Sequence, residues 1–411
     1  TCRNPVTQGC DRPDNALKTG FLQVMDVPGL NYRLHRYQST FDKLPQGFLL
    51  GSETASTVSS RGCYYFPVVP KATVTRPDGQ CSGYDVEWCS WSNLPDDDWQ
   101  WQDDKAWVIG EFVWTGYDYL GEPTPYDEYW PSRSSYFGIC DLAGLPKDRY
   151  FLYRSHWQND DQTLHLLPHW TWGEEREGEE TPVYCYTTYP ECELFVNGKS
   201  QGRMAKNPKE RLDRYRLRWN DVRYEPGELR VVAYDEKGRK CDERMVMTAK
   251  APTRIVLDTW TQHTDASPIA NPATRPHAMT ALPKGGKKKV RRKETTPTLW
   301  ADGSDLAFIT VSLTDENGTF CPTLTDQMTF SVEGDGTFVG VCNGDATSLE
   351  VFTEPHMRLF AGQLVVVVRA AKRAGSITLN VSDKDRNISS EVTINVIENM
   401  NGTQRRKDTK S

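Results

Sequence analysis

The feature that most constrains the fold is a change of pattern near Asp160. Before this point, short apolar runs alternate with longer polar segments, which is typical of β-strands separated by helices or long loops. We predict strands at Pro5–Gln8, Leu22–Val27, Phe48–Gly51 and Trp107–Trp114. We predict helices at Asp14–Thr19, Asp96–Lys105 and Lys147–His156. Residues 1–159 are therefore expected to form a β/α domain.

After Asp160 the pattern indicates antiparallel strands joined by turns. The pairs Asn197-Gly198 and Pro226-Gly227 are strong turn signals. We predict one immunoglobulin-like β-sandwich at residues 160–252 and a second at 253–400. The clearest predicted strands are Thr181–Tyr186, Cys192–Val196, Leu229–Tyr234 and Arg244–Thr248 in the first, and Phe308–Leu313, Met328–Val332, Gln363–Arg369 and Ser376–Val381 in the second.

Residues 263–298, between the two sandwiches, contain the basic run Lys287–Lys293. A disordered, solvated insertion is the favoured interpretation, and contact with a nucleic acid or an anionic surface is the alternative. The formal charge of the whole chain is −7, which argues against nucleic-acid binding. The tail at residues 401–411 is also predicted to be disordered.

Composition excludes several classes of protein. The 11 cysteines include no Cys-x-x-Cys pair, and the 7 histidines form no His-Glu-x-x-His motif, so we predict no metal and no cofactor. The longest apolar run, Leu364–Val368, is far shorter than the roughly 20 residues that a membrane helix needs. We therefore predict no membrane span.

Polar and aromatic side chains follow three of the predicted strands. Glu53 comes after the third strand, Asn31 and Tyr32 follow the second, and Trp114 and Asp118 follow the fourth. Because the carboxyl ends of parallel strands build the active site of β/α barrels, these residues are expected to converge at one mouth. A helix-capping or salt-bridged role for Glu53 is the alternative, and position alone does not separate the two.

Two motifs carry a specific resemblance. The segments Gly51–Ser56 and Gly110–Tyr126 closely resemble bacterial β-galactosidases of glycoside hydrolase family 2. The similarity continues through Tyr136–Gly144 and Pro146–Arg149 and into the first predicted sandwich. It covers residues 1 to about 260 well and the last sandwich more loosely.

The resemblance implies a retaining β-glycosidase, with two catalytic carboxylates about 5 to 5.5 Å apart. Glu53 falls on the family's nucleophile position, and Tyr32 matches the tyrosine that hydrogen-bonds this carboxylate. Trp114 matches the tryptophan at the floor of the sugar site. Asn31 and Asp118 are candidate substrate-binding residues beside them, and Phe137 lies in the loop that the family places against the sugar.

The resemblance also implies an incomplete site. The family's acid/base glutamate belongs to an Asn-Glu pair at the fourth barrel strand, which is expected to precede Thr1. The predicted fold is therefore the C-terminal half of a (β/α)₈ TIM barrel followed by two immunoglobulin-like β-sandwiches. We expect the chain alone, without the N-terminal half of the barrel, to be inactive.

The expected substrate is a glycan with a terminal β-galactoside. Family members that act on glucuronides have an Asn-x-Lys-Gly element in the sugar-contacting loop, whereas this chain has Ser135–Gly138, which favours a neutral sugar. The resemblance also suggests export to the bacterial periplasm. A non-catalytic carbohydrate-binding or scaffold fragment is the competing interpretation, and the aglycone, the linkage and the oligomeric state stay open.

Overall fold

The computed structural model describes residues 4–158, 162–262 and 296–398. Most of the predicted basic insertion and the whole predicted tail lie outside these residues. At the end of the predicted insertion, residues 296–298 are described, and Thr298 begins a strand. The chain folds as a β/α region followed by two antiparallel β regions.

The β/α region is built on a sheet of four strands in the order β1-β2-β3-β6, and every neighbouring pair is parallel. A short parallel pair, β4 and β5, lies in the long connection after β3. The strands are β1 (Thr7–Gln8), β2 (Val27–Asn31), β3 (Leu49–Ala55), β4 (Lys71–Ala72), β5 (Glu87–Trp88) and β6 (Val108–Trp114). The helices are α1 (Pro13–Lys18), α2 (Tyr37–Phe41), α3 (Pro95–Asp104) and α4 (Asp148–Trp157). Short 3₁₀ turns occur at Leu22–Val24, Leu34–Arg36 and Glu174–Arg176.

The second and third strands differ from the sequence prediction. The apolar run from Leu22 forms a 3₁₀ turn, and the strand begins only at Val27. Leu22 is fully buried but Val24 is 69% exposed, so the apolar run reported neither the backbone conformation nor the burial of all its members. The next strand, β3, continues to Ala55, and Glu53 therefore lies within the strand rather than after it.

Helix α3 has strong local start signals. Pro95 occupies the first turn, where its missing N–H removes no hydrogen bond, and Asp96, Asp97 and Asp98 favour the positive end of the helix dipole. The Asp97 carboxylate accepts a hydrogen bond from the Leu94 N–H at 3.1 Å. These signals explain why the sequence located this helix to within a residue.

The first antiparallel region consists of two sheets, in the orders β10-β9-β12-β13 and β11-β8-β7. Buried residues from both sheets, such as Leu194, Val231 and Leu217, share one apolar core, so this region is a β-sandwich. Its strands are β7 (Leu164–Leu167), β8 (Val183–Thr187), β9 (Glu191–Val196), β10 (Lys199–Ala205), β11 (Leu217–Trp219), β12 (Glu228–Tyr234) and β13 (Lys240–Met247).

The second β region is also a sandwich, with sheets in the orders β14-β16-β20-β18 and β15-β22-β21-β17-β19. Neighbouring strands are antiparallel except β15 and β22, which are parallel. Its core includes Val311, Val366, Leu379 and Ile394. The strands are β14 (Pro252–Thr261), β15 (Thr298–Trp300), β16 (Leu306–Asp315), β17 (Gln327–Gly334), β18 (Gly336–Cys342), β19 (His356–Arg358), β20 (Gln363–Ala370), β21 (Gly375–Asp383) and β22 (Ile388–Ile397).

Buried polar contacts join the three regions. Arg61 of the β/α region donates hydrogen bonds to the Asn343 and Phe360 carbonyl oxygens of the second sandwich, at 2.8 and 2.9 Å. Arg216 of the first sandwich pairs with Asp96 on α3, and both side chains are fully buried. Within the described ranges, no helix is long and apolar enough to cross a membrane.

Candidate active site

Glu53 is half-buried on β3, and two residues of the neighbouring strand end hold its carboxylate. The Asn31 Nδ2 donates to Glu53 Oε1 at 2.7 Å, and the Tyr32 hydroxyl donates to Oε2 at 3.2 Å. A register shift between Leu30 and Asn31 places Asn31 opposite Glu53 in the parallel pair. Both carboxylate oxygens are thus fixed by donors, which is an arrangement that orients a charged group.

Gly9 allows the chain to pass close to Asn31. A Cβ at position 9 would lie 2.6 Å from the Asn31 Oδ1, closer than such atoms approach in proteins. The Ser52 hydroxyl donates to that same Oδ1 at 2.8 Å, which orients the amide so that its NH₂ group points to Glu53. Asn31 is therefore held in the orientation that donates to the carboxylate.

Tyr32 is 7% exposed and connects Glu53 to Ser56. Its hydroxyl lies 2.8 Å from the Ser56 Oγ, so it can accept from Ser56 while it donates to Glu53. Burial raises the pKa of Tyr32 well above its ordinary value, and the negative charge of Glu53 raises the pKa further, against the opposing effect of the Ser56 hydrogen bond. Tyr32 consequently stays neutral and remains a donor to Glu53.

The backbone turns sharply on both sides of this site. Tyr32 and Arg33 follow β2 with φ of 55° and 58°, and Ala55 and Ser56 at the end of β3 have φ of 62° and 52°. Non-glycine residues in this left-handed region cost roughly 1–3 kcal/mol each and concentrate at functional sites. The strain next to Tyr32 and Glu53 is thus an observation that points to function.

Trp114 ends β6, where it lies opposite Ala55 in the pairing with β3. Its ring is half-buried, and its Nε1 donates to the Tyr119 hydroxyl at 3.1 Å. Tyr119 in turn donates to Glu122. Trp114 therefore lies at the same strand ends as Glu53, with a ring fixed by a polar network.

The structure buries two of the predicted substrate-binding residues, Asp118 and Phe137. Asp118 is buried, with its Oδ2 2.6 Å from the Lys147 Nζ and its Oδ1 accepting from the Gly138 N–H at 2.7 Å. The Phe137 side chain is 0% exposed and belongs to an apolar cluster. Both side chains are therefore buried, and their contact with a sugar stays a prediction.

Trp91 is not among the predicted site residues, but the structure brings it to the site. Its ring contacts Tyr32 edge-on with centroids 4.8 Å apart, and it lies 6.1 Å from the Phe137 ring. Trp91 is half-buried in the connection between β5 and α3. In the part of the chain that the structure describes, no three His, Cys, Asp or Glu side chains gather to hold a metal ion.

Family models match the two sandwich regions. The model described as "Glycoside hydrolase family 2 C-terminal domain 5" matches residues 292–390. A second model, described as a domain of unknown function, matches residues 178–242. These matches cover the parts of the chain that lie outside the candidate site.

Curated relatives extend the similarity over the rest of the chain. A β-galactosidase from Bacteroides ovatus is 34% identical over 389 residues, which are 92% of this chain and 40% of that protein. A β-galactosidase from Thermoanaerobacter pseudethanolicus is 27% identical over 59% of this chain and 28% of its own length. A putative β-glucuronidase from Formosa agariphila is 33% identical over 38% of this chain and 15% of its own length.

Solved structures give the same picture of the fold. A β-glycosidase from Bacteroides vulgatus superposes with a TM-score of 0.73 and 26% identity, covering 95% of this chain and 47% of that one. A glycosyl hydrolase family 2 member from Bacteroides cellulosilyticus superposes with a TM-score of 0.69 over 95% of this chain and 44% of that one, at 24% identity. The chain spans less than half the length of these relatives. Its last region carries a glycoside hydrolase family 2 C-terminal domain, and over most of its length the chain is similar to the C-terminal part of a family 2 β-galactosidase.

Proposed function

We propose that this chain carries the nucleophile of a retaining β-glycosidase and that Glu53 is that nucleophile. The observation that carries the proposal is the Glu53 carboxylate at the ends of parallel strands, with one oxygen held by Asn31 and the other by Tyr32. A structural glutamate would be expected to pair with a cation or a helix end. The two donors here are neutral groups rather than cations.

The proposed reaction has two displacements at the anomeric carbon. In the first, a Glu53 oxygen forms a bond to this carbon while the bond to the leaving oxygen breaks and a separate carboxylic acid protonates that oxygen. In the second, water attacks the glycosyl ester, Glu53 leaves as a carboxylate, and the other carboxylate takes the proton of the water. Asn31 and Tyr32 stabilise the negative charge that returns to Glu53 in this second step.

The parallel sheet β1-β2-β3-β6 is proposed to be strands five to eight of a (β/α)₈ barrel. This proposal is supported by the all-parallel pairing and by the site at the carboxyl ends of the strands. The acid/base carboxylate is then proposed to come from outside these 411 residues. Without it, we expect no turnover of an unactivated galactoside.

The proposed substrate is a terminal β-galactoside. The loop at Ser135–Gly138 offers no free cation for a sugar carboxylate, because Lys147, which donates to the Tyr136 carbonyl oxygen at 3.1 Å, is paired with Asp118. The half-buried Trp114 ring offers an apolar face of the kind that sugars stack on. Two β-galactosidases among the relatives support this choice, while β-glucuronidases and putative β-glucuronidases are also among them.

The test is covalent labelling of the full-length protein with a 2-deoxy-2-fluoro-β-galactoside that carries a dinitrophenyl leaving group. This group leaves without protonation, so the label reports the nucleophile alone. We expect mass spectrometry to find the sugar on Glu53, and we expect Glu53→Gln to lose the label and several orders of magnitude of turnover.

Glu193→Gln is the matched control, because Glu193 lies in the first sandwich and bonds Ser200 and Tyr234. It should be labelled like the unaltered protein. Label on a different carboxylate would contradict the assignment of Glu53. If the sugar bound but no carboxylate was labelled, the result would favour the non-catalytic carbohydrate-binding interpretation. The corresponding fluoroglucuronide tests the substrate class, and faster labelling by it would overturn the choice of galactose.

A further inference from the structure

Two carboxylates, the buried Asp98 and the half-buried Glu111, hold the chain immediately after Glu53. The Thr54 hydroxyl donates to Glu111 Oε2 at 2.7 Å, and the Ala55 N–H donates to Asp98 Oδ2 at 3.0 Å. Glu111 lies on β6 and Asp98 on α3, so the two residues that follow Glu53 are each anchored to a different element.

Both carboxylates are themselves fixed. The Trp99 Nε1 donates to Glu111 Oε1 at 2.6 Å, and the Asn93 Nδ2 donates to Asp98 Oδ2 at 2.5 Å. Trp99 is 0% exposed and Asp98 is 2% exposed. The anchors of Thr54 and Ala55 are therefore held in place, because Trp99 fixes Glu111 from within the core and Asp98 is itself buried.

Burying these two acids is unfavourable. Burial raises the pKa of the Glu111 carboxyl, while its hydrogen bonds from Thr54 and Trp99 act in the opposite direction. Burial and then the charge of Glu111 raise the pKa of Asp98 well above its ordinary value. Apolar side chains would pack α3 on the sheet at lower cost, and perturbed acids of this kind concentrate at functional sites.

The backbone at this point needs an anchor. Ala55 has a left-handed φ of 62°, so an unrestrained chain would relax and carry the preceding Glu53 with it. A catalytic group works only when it is held within a fraction of an ångström of its productive position. Anchors on both Thr54 and Ala55 meet this requirement.

We propose that Asp98 and Glu111 are positioning residues for Glu53, which they hold in place through Ala55 and Thr54. This inference rests on the proposed role of Glu53 as nucleophile. Neither acid touches the sugar. Their effect is on the rate at which Glu53 attacks rather than on the affinity for the sugar.

The experiment compares truncated and conservative variants of each anchor in the full-length protein, labelled with the dinitrophenyl fluorogalactoside. Thr54→Val removes the hydroxyl that Glu111 holds, whereas Thr54→Ser keeps it. Asp98→Ala removes the acceptor, whereas Asp98→Asn keeps an oxygen that can accept from Ala55 and Asn93. We expect the maximal labelling rate constant to fall about ten- to hundredfold in the two truncated variants, with the dissociation constant of the probe changed less than about threefold.

The conservative variants should recover the labelling rate to within about threefold of the unaltered protein. Thr187→Val is the stability control, because the Thr187 hydroxyl is a buried acceptor for the Tyr189 N–H in the first sandwich, far from Glu53 in the fold. It should lower the melting temperature without slowing the labelling.

The outcomes separate this role from the proposed function. Label on another carboxylate in the unaltered protein would overturn both. The positioning role alone would be overturned if Thr54→Val and Asp98→Ala were labelled on Glu53 at an unchanged rate. Circular dichroism would first establish that both variants are folded. Equal slowing in Thr187→Val would also overturn it, since the effect would then be a general loss of stability.

Discussion

At the scale of single residues, Tyr32 shows how position and environment combine. Its left-handed backbone turns the chain at the end of β2, and its buried hydroxyl reaches both Glu53 and Ser56. Because burial keeps the phenol neutral, Tyr32 donates to the carboxylate over the whole working range of pH. Its proposed contribution is to make Glu53 a better leaving group when the glycosyl ester breaks down.

We predict that Tyr32→Phe slows breakdown of the glycosyl ester about ten- to hundredfold, because a hydrogen bond to a charged group contributes roughly 1.5–3 kcal/mol. The half-life of the trapped fluorosugar ester should lengthen, while the free energy of unfolding falls by only about 1 kcal/mol. Tyr84→Phe is the control, because its buried hydroxyl donates to the Pro182 carbonyl oxygen at 2.6 Å, outside the site. An ester half-life that is unchanged in Tyr32→Phe would contradict this role.

At the scale of elements, the loop after β6 is held by a buried ion pair. The Lys147 Nζ lies 2.6 Å from Asp118 Oδ2 and donates to the Ser59 carbonyl oxygen at 2.7 Å. Burial lowers the pKa of Lys147 and raises the pKa of Asp118, which shows that each charge depends on the other. This pair connects the loop after β6 to the loop after β3.

We predict that Lys147→Met destabilises the protein by about 3–5 kcal/mol, because it leaves Asp118 buried without its cation. The double variant Lys147→Met with Asp118→Asn should recover part of this loss, since no charge then remains buried. Urea unfolding of the three proteins measures both effects. A loss of less than about 1 kcal/mol in Lys147→Met would show that water reaches Asp118 and that the pair does not hold the loop.

At the scale of the whole molecule, the β/α region and the first sandwich meet around His156. The ring of His156 on α4 stacks on Trp99 of α3 with centroids 4.2 Å apart, and it lies 5.1 Å from the Tyr215 ring of the sandwich. Burial lowers the pKa of His156 to about 4, and the charge of Asp103 only partly opposes this shift. His156 is thus neutral in the folded protein at neutral pH.

The sign of the pH dependence follows from this shift. Between pH values of about 6.5 and 4 the unfolded chain binds a proton at His156 and the folded protein does not, so stability is lost as the pH falls through this window. We predict that the free energy of unfolding falls more between pH 7 and pH 4.5 in the unaltered protein than in His156→Phe, which keeps the stacking.

Asp96 lies at the same interface, and burial raises its pKa to about 6. Its contribution to stability therefore changes with pH in the opposite direction. Because Asp96 is present in both the unaltered protein and His156→Phe, comparing their free energies of unfolding cancels this contribution. Urea unfolding at the two pH values gives both free energies. Parallel pH dependences in the two proteins would contradict the prediction.

The sequence by itself determined the local structure and the motif around Glu53. Helix α3 was predicted from the polar segment between two apolar strands, and the sandwiches from strand alternation and turn pairs. These signals are local, because capping, turn formation and side-chain periodicity depend on residues a few positions apart. The family resemblance likewise depends on short runs of sequence.

Which of these residues contact one another depends on the tertiary structure. Leu22 was buried but formed a 3₁₀ turn instead of a strand, and Phe137 was packed in the interior. Asp98 and Glu111 lie 43 and 57 positions from the Ala55 and Thr54 that they hold. No local pattern reports such contacts, because hydrogen bonding and burial depend on which distant elements pack together once the chain has folded.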